Sequence, residues 1–369
     1  MFSQAYHKSI DKIITNSGHI GSTFPHVAIE ADGSYNREPP FFWTGGFWAG
    51  LLWLAYRETK QKSLYELACQ IEEKQDEPLN EFLQLHHDVG FMWLPTAVTH
   101  YRQDGNADSR LRAVKAASLL AGRFNPAGNF LRAWNNDVED NCQGIAIIDC
   151  LMNLPLLYWA WKEFSDPRFK HIAMAHADRV LTSFVRQDNT VPHMVRFNPE
   201  TGEKIEELGG QGKASDSAWS RGQAWAIYGF ALSYRETGEK RYLEQAMKCA
   251  QWFMSHLPQD FIPLWDFSSE EKDWHVKDTS AACCAASGIL EISELVENLQ
   301  EKRQFRNMAE KLLESLILNC ACFDNTTEGI IRYGTVSYPV NRHVNVPIIY
   351  GDFFFVEALT KVLGKKGIF

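Results

Sequence analysis

What most constrains this chain is a regular alternation between two kinds of helical segment. Apolar residues spaced at i, i+3, i+4 and i+7 mark about twelve helices, with almost no strand-like alternation between them. One kind is amphipathic and charged: residues 3–15, Ser63 to Glu77, Ser109 to Arg123, Pro167 to Phe184, Lys240 to His256 and Lys302 to Leu318. Each of these turns one face to solvent. The other kind is apolar nearly all round and opens with glycine, polar and aromatic residues. Its openings are Trp43-Thr44-Gly45-Gly46-Phe47-Trp48, His87-Asp88-Val89-Gly90-Phe91 and Cys142-Gln143-Gly144-Ile145. The series continues at Trp219-Ser220-Arg221-Gly222-Gln223, Lys277-Asp278-Thr279-Ser280 and Tyr350-Gly351-Asp352-Phe353.

Six apolar helices alternating with six charged ones, at about 61 residues per pair, mark stacked helical hairpins closed into a ring. The expected architecture is all-α: one domain over residues 1–369, folded as an (α/α)6 barrel. An open α-solenoid of the same hairpins is the alternative, although no tight repeat consensus supports it. In the barrel the inner helices run parallel, so their polar openings gather at one rim. The connections leading to that rim are long (17–43, 125–143, 186–218, 257–278 and 320–350), as loops that build a pocket usually are. Within one of them, Thr190 to Phe197 alternates like a strand, which predicts a small β-hairpin in a rim loop.

Several function classes drop out. A net charge of −9 without a dense Lys/Arg run argues against nucleic acid or an anionic membrane surface as partner. The longest apolar stretch, Ile145 to Leu157, carries Asp149 and Asn153 and falls short of the roughly 20 residues that cross a bilayer. The start, Met1 to Lys8, lacks the basic start, apolar core and small-residue cleavage site of a secretory signal, so export is not expected, and the eight cysteines form no CxxC pair. Buried free thiols in a cytoplasmic protein are therefore expected. Only Cys320 and Cys322 loosely suggest metal spacing, so neither a metal nor a cofactor is expected. Phosphate loops, dinucleotide fingerprints, G-x-S-x-G elbows and H-E-x-x-H are missing from the sequence.

Two aspartates stand out. Asp149 lies in the apolar run Gly144 to Met152, where an unpartnered charge would cost several kcal/mol if buried. Either it caps the third inner helix or it works as an acid whose proton affinity the apolar setting raises. Asp88 opens the second inner helix after two histidines, and the same two readings apply. On neighbouring inner helices of a closed barrel the two carboxyls would converge. Aromatic residues crowd the same rim. Trp43, Trp134 and Trp219 are loop-placed platforms for a sugar face, whereas Trp48, Trp93 and Trp225 lie inside helices and suit core packing, with Trp225 kept as a substrate-site candidate. An anionic group could be met by Arg221, His193, His87 and the Gln211 amide, Arg221 offering a two-pronged grip unless an ordinary salt bridge occupies it.

The segments Phe24-Pro25-His26-Val27, Trp43 to Trp48, His86 to Phe91, Ile147 to Leu157, Trp219 to Leu232, Asp278 to Ala281 and Gly351 to Phe354 together resemble the unsaturated glucuronyl hydrolases of glycoside hydrolase family 88. The likeness runs in order from about residue 20 to 360, over most of the chain. It implies the (α/α)6 barrel and release of a terminal unsaturated uronic acid from an oligosaccharide by hydration of its C4=C5 double bond. It further implies that Asp149 protonates C4 and takes a proton from the water added at C5, while Asp88 holds ring hydroxyls and tunes that acid. By the same likeness His87, Trp134, His193, Gln211, Trp219 and Arg221 bind the uronate, and Trp43 forms a pocket wall. Residues 333–347 depart from the pattern and would face the leaving sugar, with Tyr338, Arg342 and His343 as candidates there. Their cations would favour sulfated glycosaminoglycan disaccharides. The rivals are an unsaturated rhamnogalacturonyl hydrolase, a sugar-binding helical protein without catalysis, and an epimerase on the same barrel.

Overall fold

The computed structural model describes residues 1–29, 31–82, 84–135 and 142–369. Six inner helices follow one another as Phe47–Thr59, Val89–Trp93 continued through the wide turn Leu94–Val98 and Thr99–Asp104, Leu154–Phe164, Ser220–Thr237, Thr279–Leu295 and Ile349–Val362. Six outer helices alternate with them: Phe2–Ile20, Lys62–Lys74, Ala107–Gly122, Pro167–Ser183, Lys240–Ser255 and Leu299–Asn319. The last inner helix packs on the first as well as on the fifth, which closes the ring into an (α/α)6 barrel and excludes the open solenoid. The inner helices are buried on nearly every face, as an all-round apolar pattern requires, whereas the outer helices bury single stripes such as Phe169, Ala173, Ala177 and Val180. No helix among the described residues is long and apolar enough to cross a membrane.

One expectation needs correction. The third inner helix does not begin near Cys142: Ile145–Ile147 is a strand, Ile148–Met152 is a 3-10 turn, and the helix starts at Leu154 with Pro155 in its first turn. Proline suits that place because it has no N–H to leave unpaired there. Upstream, Ile-Ala-Ile pairs antiparallel with Met194–Phe197, which in turn pairs with Lys204–Leu208. The rim hairpin is thus present, and it carries a third strand. Gly144 admits this pairing, because a Cβ there would lie 1.9 Å from the carbonyl oxygen of Phe197.

At the opposite end of the barrel the inner helices bring their C-terminal turns together around the segment Gly367–Phe369. Arg57, Arg102 and Arg235 donate to the main-chain oxygens of Gly367, Ile368 and Phe369 at 3.2, 3.3 and 3.1 Å. Buried Glu357 accepts from the N–H groups of Ile368 and Phe369, both at 2.9 Å, and from the hydroxyls of Tyr228 and Ser287. Replacing Glu357 by Ala would strand four donors, and since each orphaned group costs about 1–3 kcal/mol the variant should lose at least about 3 kcal/mol in urea unfolding. Glu357→Gln, which keeps one acceptor for the two N–H groups, should recover most of that loss.

Candidate active site

Strand register sets the centre of the site. Because Ile147 pairs with Met194 and the Ile148 N–H donates to the His193 carbonyl at 3.0 Å, Asp149 and His193 emerge side by side at the rim. His193 Nε2 lies 3.7 Å from Asp149 Oδ2. The Gln211 N–H donates to His193 Nδ1 at 2.9 Å, so Nδ1 carries no proton and Nε2 does, aimed at the carboxyl. Gly210, at φ +55°, makes that approach possible: a Cβ there would stand 2.0 Å from Nδ1. Burial and the charge of Arg221 push the His193 pKa down to about 3, so the ring is neutral near pH 7.

Asp149 is 8% exposed and its Oδ2 has no hydrogen-bond partner among the described residues. It does not cap the third inner helix, since it sits within the 3-10 turn that precedes it. Burial lifts its pKa to about 7, against the opposing pull of Arg221 and of the Trp225 ring N–H, which approaches without closing a full hydrogen bond. Trp225 itself is wholly enclosed, between Phe91 and Phe354, so its part in the site runs through the surroundings of Asp149.

Asp88 occupies the N-cap position of the helix Val89–Trp93, yet its side chain makes no capping bond. Its Oδ2 lies 3.3 Å from His86 Nδ1 and 3.4 Å from His87 Nε2. Burial first, and then the nearby charge of Asp149, hold its pKa well above the usual carboxylate range. Burial drives His87 the other way, to a neutral ring. The two aspartates are therefore near enough for the charge of one to oppose ionisation of the other, with neutral imidazoles beside both. By distance alone His86, His87 and Asp88 could hold a metal ion, the one such grouping among the described residues. The acid chemistry considered below needs them as a carboxyl and its imidazole neighbours.

Arg221, 2% exposed, opens the fourth inner helix with its guanidinium over Trp219 at 4.5 Å and Tyr350 at 5.3 Å. Its two η-nitrogens donate to Asp278, to the carbonyls of Thr335 and Val336 at 2.6 and 2.8 Å, and to Gln211 Oε1. Those four N–H groups are thereby taken, so the expected two-pronged grip on a substrate is not on offer in this conformation. What the guanidinium does supply is a positive field on Asp149 and an anchor for the loop 333–347. Trp219 stacks edge-on against His193 at 4.4 Å. Trp134, half-buried, stands edge-on to His87 at 6.5 Å. Half-buried Trp43 packs on Phe91 and Tyr350, and the buried Tyr350 hydroxyl has no partner among the described residues. In the loop 333–347, the Tyr338 hydroxyl donates to Asp273 at 2.9 Å and its ring lies on Trp265, while exposed Arg342 and half-buried His343 project beside His26. Sequence reasoning passed over Asn153, Asp278 and the Tyr350 hydroxyl. Asn153 and Asp278 lay within quoted segments, but only their contacts give them weight.

A model of the family described as Glycosyl Hydrolase Family 88 matches residues 20–359. The chain belongs to glycoside hydrolase family 88. Family 88 relatives with curated names include the unsaturated glucuronyl hydrolase of Bacillus sp. (strain GL1), 35% identical over 100% of this chain and 98% of that one. The unsaturated chondroitin disaccharide hydrolase of Streptococcus pneumoniae is 31% identical over 97% of this chain and 91% of its own length. Among solved structures, the Bacillus sp. GL1 unsaturated glucuronyl hydrolase superposes with a TM-score of 0.94 at 34% identity, covering 98% of this chain and 97% of that one. An unsaturated glucuronyl hydrolase specific for heparin does so with 0.91 at 28%, covering 100% and 98%. This family 88 chain is a glycosidase, and the rivals without catalysis or with epimerase chemistry fall away.

Proposed function

We propose that this enzyme removes the terminal 4,5-unsaturated uronic acid from lyase-generated oligosaccharides, glycosaminoglycan disaccharides above all, with Asp149 as acid and base. The observation that carries this is a buried carboxyl with an unpartnered oxygen and a pKa of about 7, set between a neutral histidine and a second carboxyl. An enol ether needs such a group. Protonated Asp149 gives its proton to C4, and the positive charge that develops at C5 is shared with the ring oxygen. Water adds at C5 and returns a proton to Asp149. The hemiketal so formed opens by breaking the bond from C5 to the ring oxygen, and the hemiacetal left at C1 collapses to an aldehyde and expels the remaining sugar. No displacement occurs at the anomeric carbon, so the rule linking carboxyl separation to retention or inversion has no bearing here. Asp88 suits holding the ring hydroxyls, while Trp43, Trp134 and Trp219 supply walls for the ring. The eight cysteines, with no disulfide among the described residues, fit a reducing, cytoplasmic setting.

On the family likeness the loop 333–347 would face the leaving sugar; burial and the charge of Arg342 lower the His343 pKa, so exposed Arg342 is the cation of that pair, and it supports a sulfated glycosaminoglycan over a rhamnogalacturonan fragment. Offering unsaturated chondroitin, hyaluronan, heparin and rhamnogalacturonan disaccharides side by side, and following loss of the double bond's ultraviolet absorbance, tests the reading. Turnover of the rhamnogalacturonan product alone would overturn the substrate class. Because the acid must carry its proton at the start of the cycle, kcat/KM should fall as pH rises through about 7 and keep falling above it. A pH-rate profile flat from pH 6 to about 9 would contradict a carboxylic acid with that proton affinity.

A further inference from the structure

Asp88 presents an anomaly. An aspartate at a helix N-cap ordinarily spends its carboxylate on the N–H group of the third helical residue, which has no partner inside the helix. Here that residue is Phe91, and its N–H donates instead to Asn153 Oδ1 at 2.8 Å. Asp88 keeps its carboxyl out of the helix start and beside His86 and His87.

Asn153 reaches this position from the other aspartate's element. It follows the 3-10 turn that carries Asp149, and its Nδ2 donates back to the Asp149 carbonyl oxygen at 3.2 Å. One fully buried amide therefore ties the main chain beside Asp88 to the main chain of Asp149. The two elements come as close as they can: a Cβ added to Gly90 would stand 2.5 Å from Asn153 Cα and 2.6 Å from its Oδ1. Proximity of the same amide also favours the ionised form of Asp88, against the burial that disfavours it.

We propose that Asn153 is a positioning residue for the reaction: it caps the Asp88 helix from outside, which releases the Asp88 carboxyl for the substrate, and it fixes the spacing between the two aspartates. This rests on the reading of Asp88 and Asp149 as the reacting pair. Without Asn153, the Asp88 carboxylate has an orphaned N–H three residues away and turns to cap its own helix. There it ionises readily, and its charge raises the proton affinity of Asp149.

The experiment compares wild type, Asn153→Ala, Asn153→Asp and Asp149→Asn on the unsaturated disaccharide that the wild type turns over best. Circular dichroism and thermal unfolding define the folded fraction. Asn153→Ala should lower kcat/KM by about 10²-fold, with kcat falling and KM rising together as Asp88 leaves the ring hydroxyls, and should move the alkaline limb of the pH profile up by about half a unit. Asn153→Asp keeps an acceptor for Phe91, so it guards against a folding failure of the alanine variant. By adding a negative charge beside both carboxyls it should move the same limb up by about a unit. If both Asn153 variants, corrected for folded fraction, keep wild-type kcat/KM and an unmoved limb while Asp149→Asn is inactive, the positioning role is overturned and the pair stands. If Asp149→Asn retains wild-type turnover, the reading of the pair itself has failed.

Discussion

Asp149→Asn should abolish turnover of every unsaturated disaccharide, with a loss of at least about 10³-fold in kcat, and should leave a more stable protein behind. The loss follows because one carboxyl both gives the proton to C4 and receives one from water, and an amide does neither. The gain follows from linkage. Folding raises the Asp149 pKa from an unfolded value near 4 to about 7. Below pH 4 both states hold the proton and the group costs nothing. As pH rises from 4 through 7 the unfolded chain ionises freely while the folded one is still held protonated, so stability drains away across that window. Above it the deficit is complete, on the order of 4 kcal/mol. Asparagine has no such deficit. Thermal unfolding of the two proteins should coincide near pH 4 and diverge toward pH 8, the variant melting higher. Equal melting at both pH values would mean that Asp149 is solvated, and a solvated carboxyl is no acid for neutral pH.

The residues that made the fold legible are those whose pattern is local. Ala, Leu, Ile and aromatic residues all round six helices and single apolar stripes on six others imply a ring of hairpins, because each inner helix must be covered on every side. Helix ends agreed to within a few residues in outer helices such as Pro167–Ser183, whereas the first outer helix, expected over 3–15, runs on to Ile20. Ile145-Ala146-Ile147 was misread as helix because three apolar residues have no period, and their strand partner, Met194–Arg196, lies on another hairpin. The site shows the same division. Asp88, Asp149, Trp219 and Arg221 could be singled out because a charge or a loop aromatic at an apolar helix's opening needs a reason. Which nitrogen of His193 carries its proton, or that Asn153 caps a helix belonging to another hairpin, depends on contacts between distant segments that no spacing rule encodes. The docking of Gly367–Phe369 against Glu357 and three arginines was illegible for that same reason.

Arg221→Ala should destabilise the protein by about 3–5 kcal/mol, because it leaves Asp278 as a fully buried carboxylate without its cation. Asp278 would keep its bonds from the Ser280 N–H and hydroxyl, which offset part of the desolvation but bring no charge. Adding Asp278→Asn should therefore restore much of the loss, a coupling that unfolding of the two single variants and the double variant measures directly. Arg221→Lys keeps the charge but lacks the planar fork that reaches Thr335, Val336, Gln211 and Asp278 together, so it should recover less than half. The functional cost has two parts. Freed from the guanidinium, the loop bearing Thr335 and Val336 no longer holds its place beside Arg221, and KM should rise. Loss of the positive field lets the Asp149 pKa climb further, so the alkaline limb of the pH profile should move to higher pH. A direct grip on the substrate carboxylate would give a different pattern: Arg221→Lys would raise KM while unfolding like the wild type. An anchoring role requires stability and KM to change together in that variant, and the pH limb to stay where a lysine's charge still holds it.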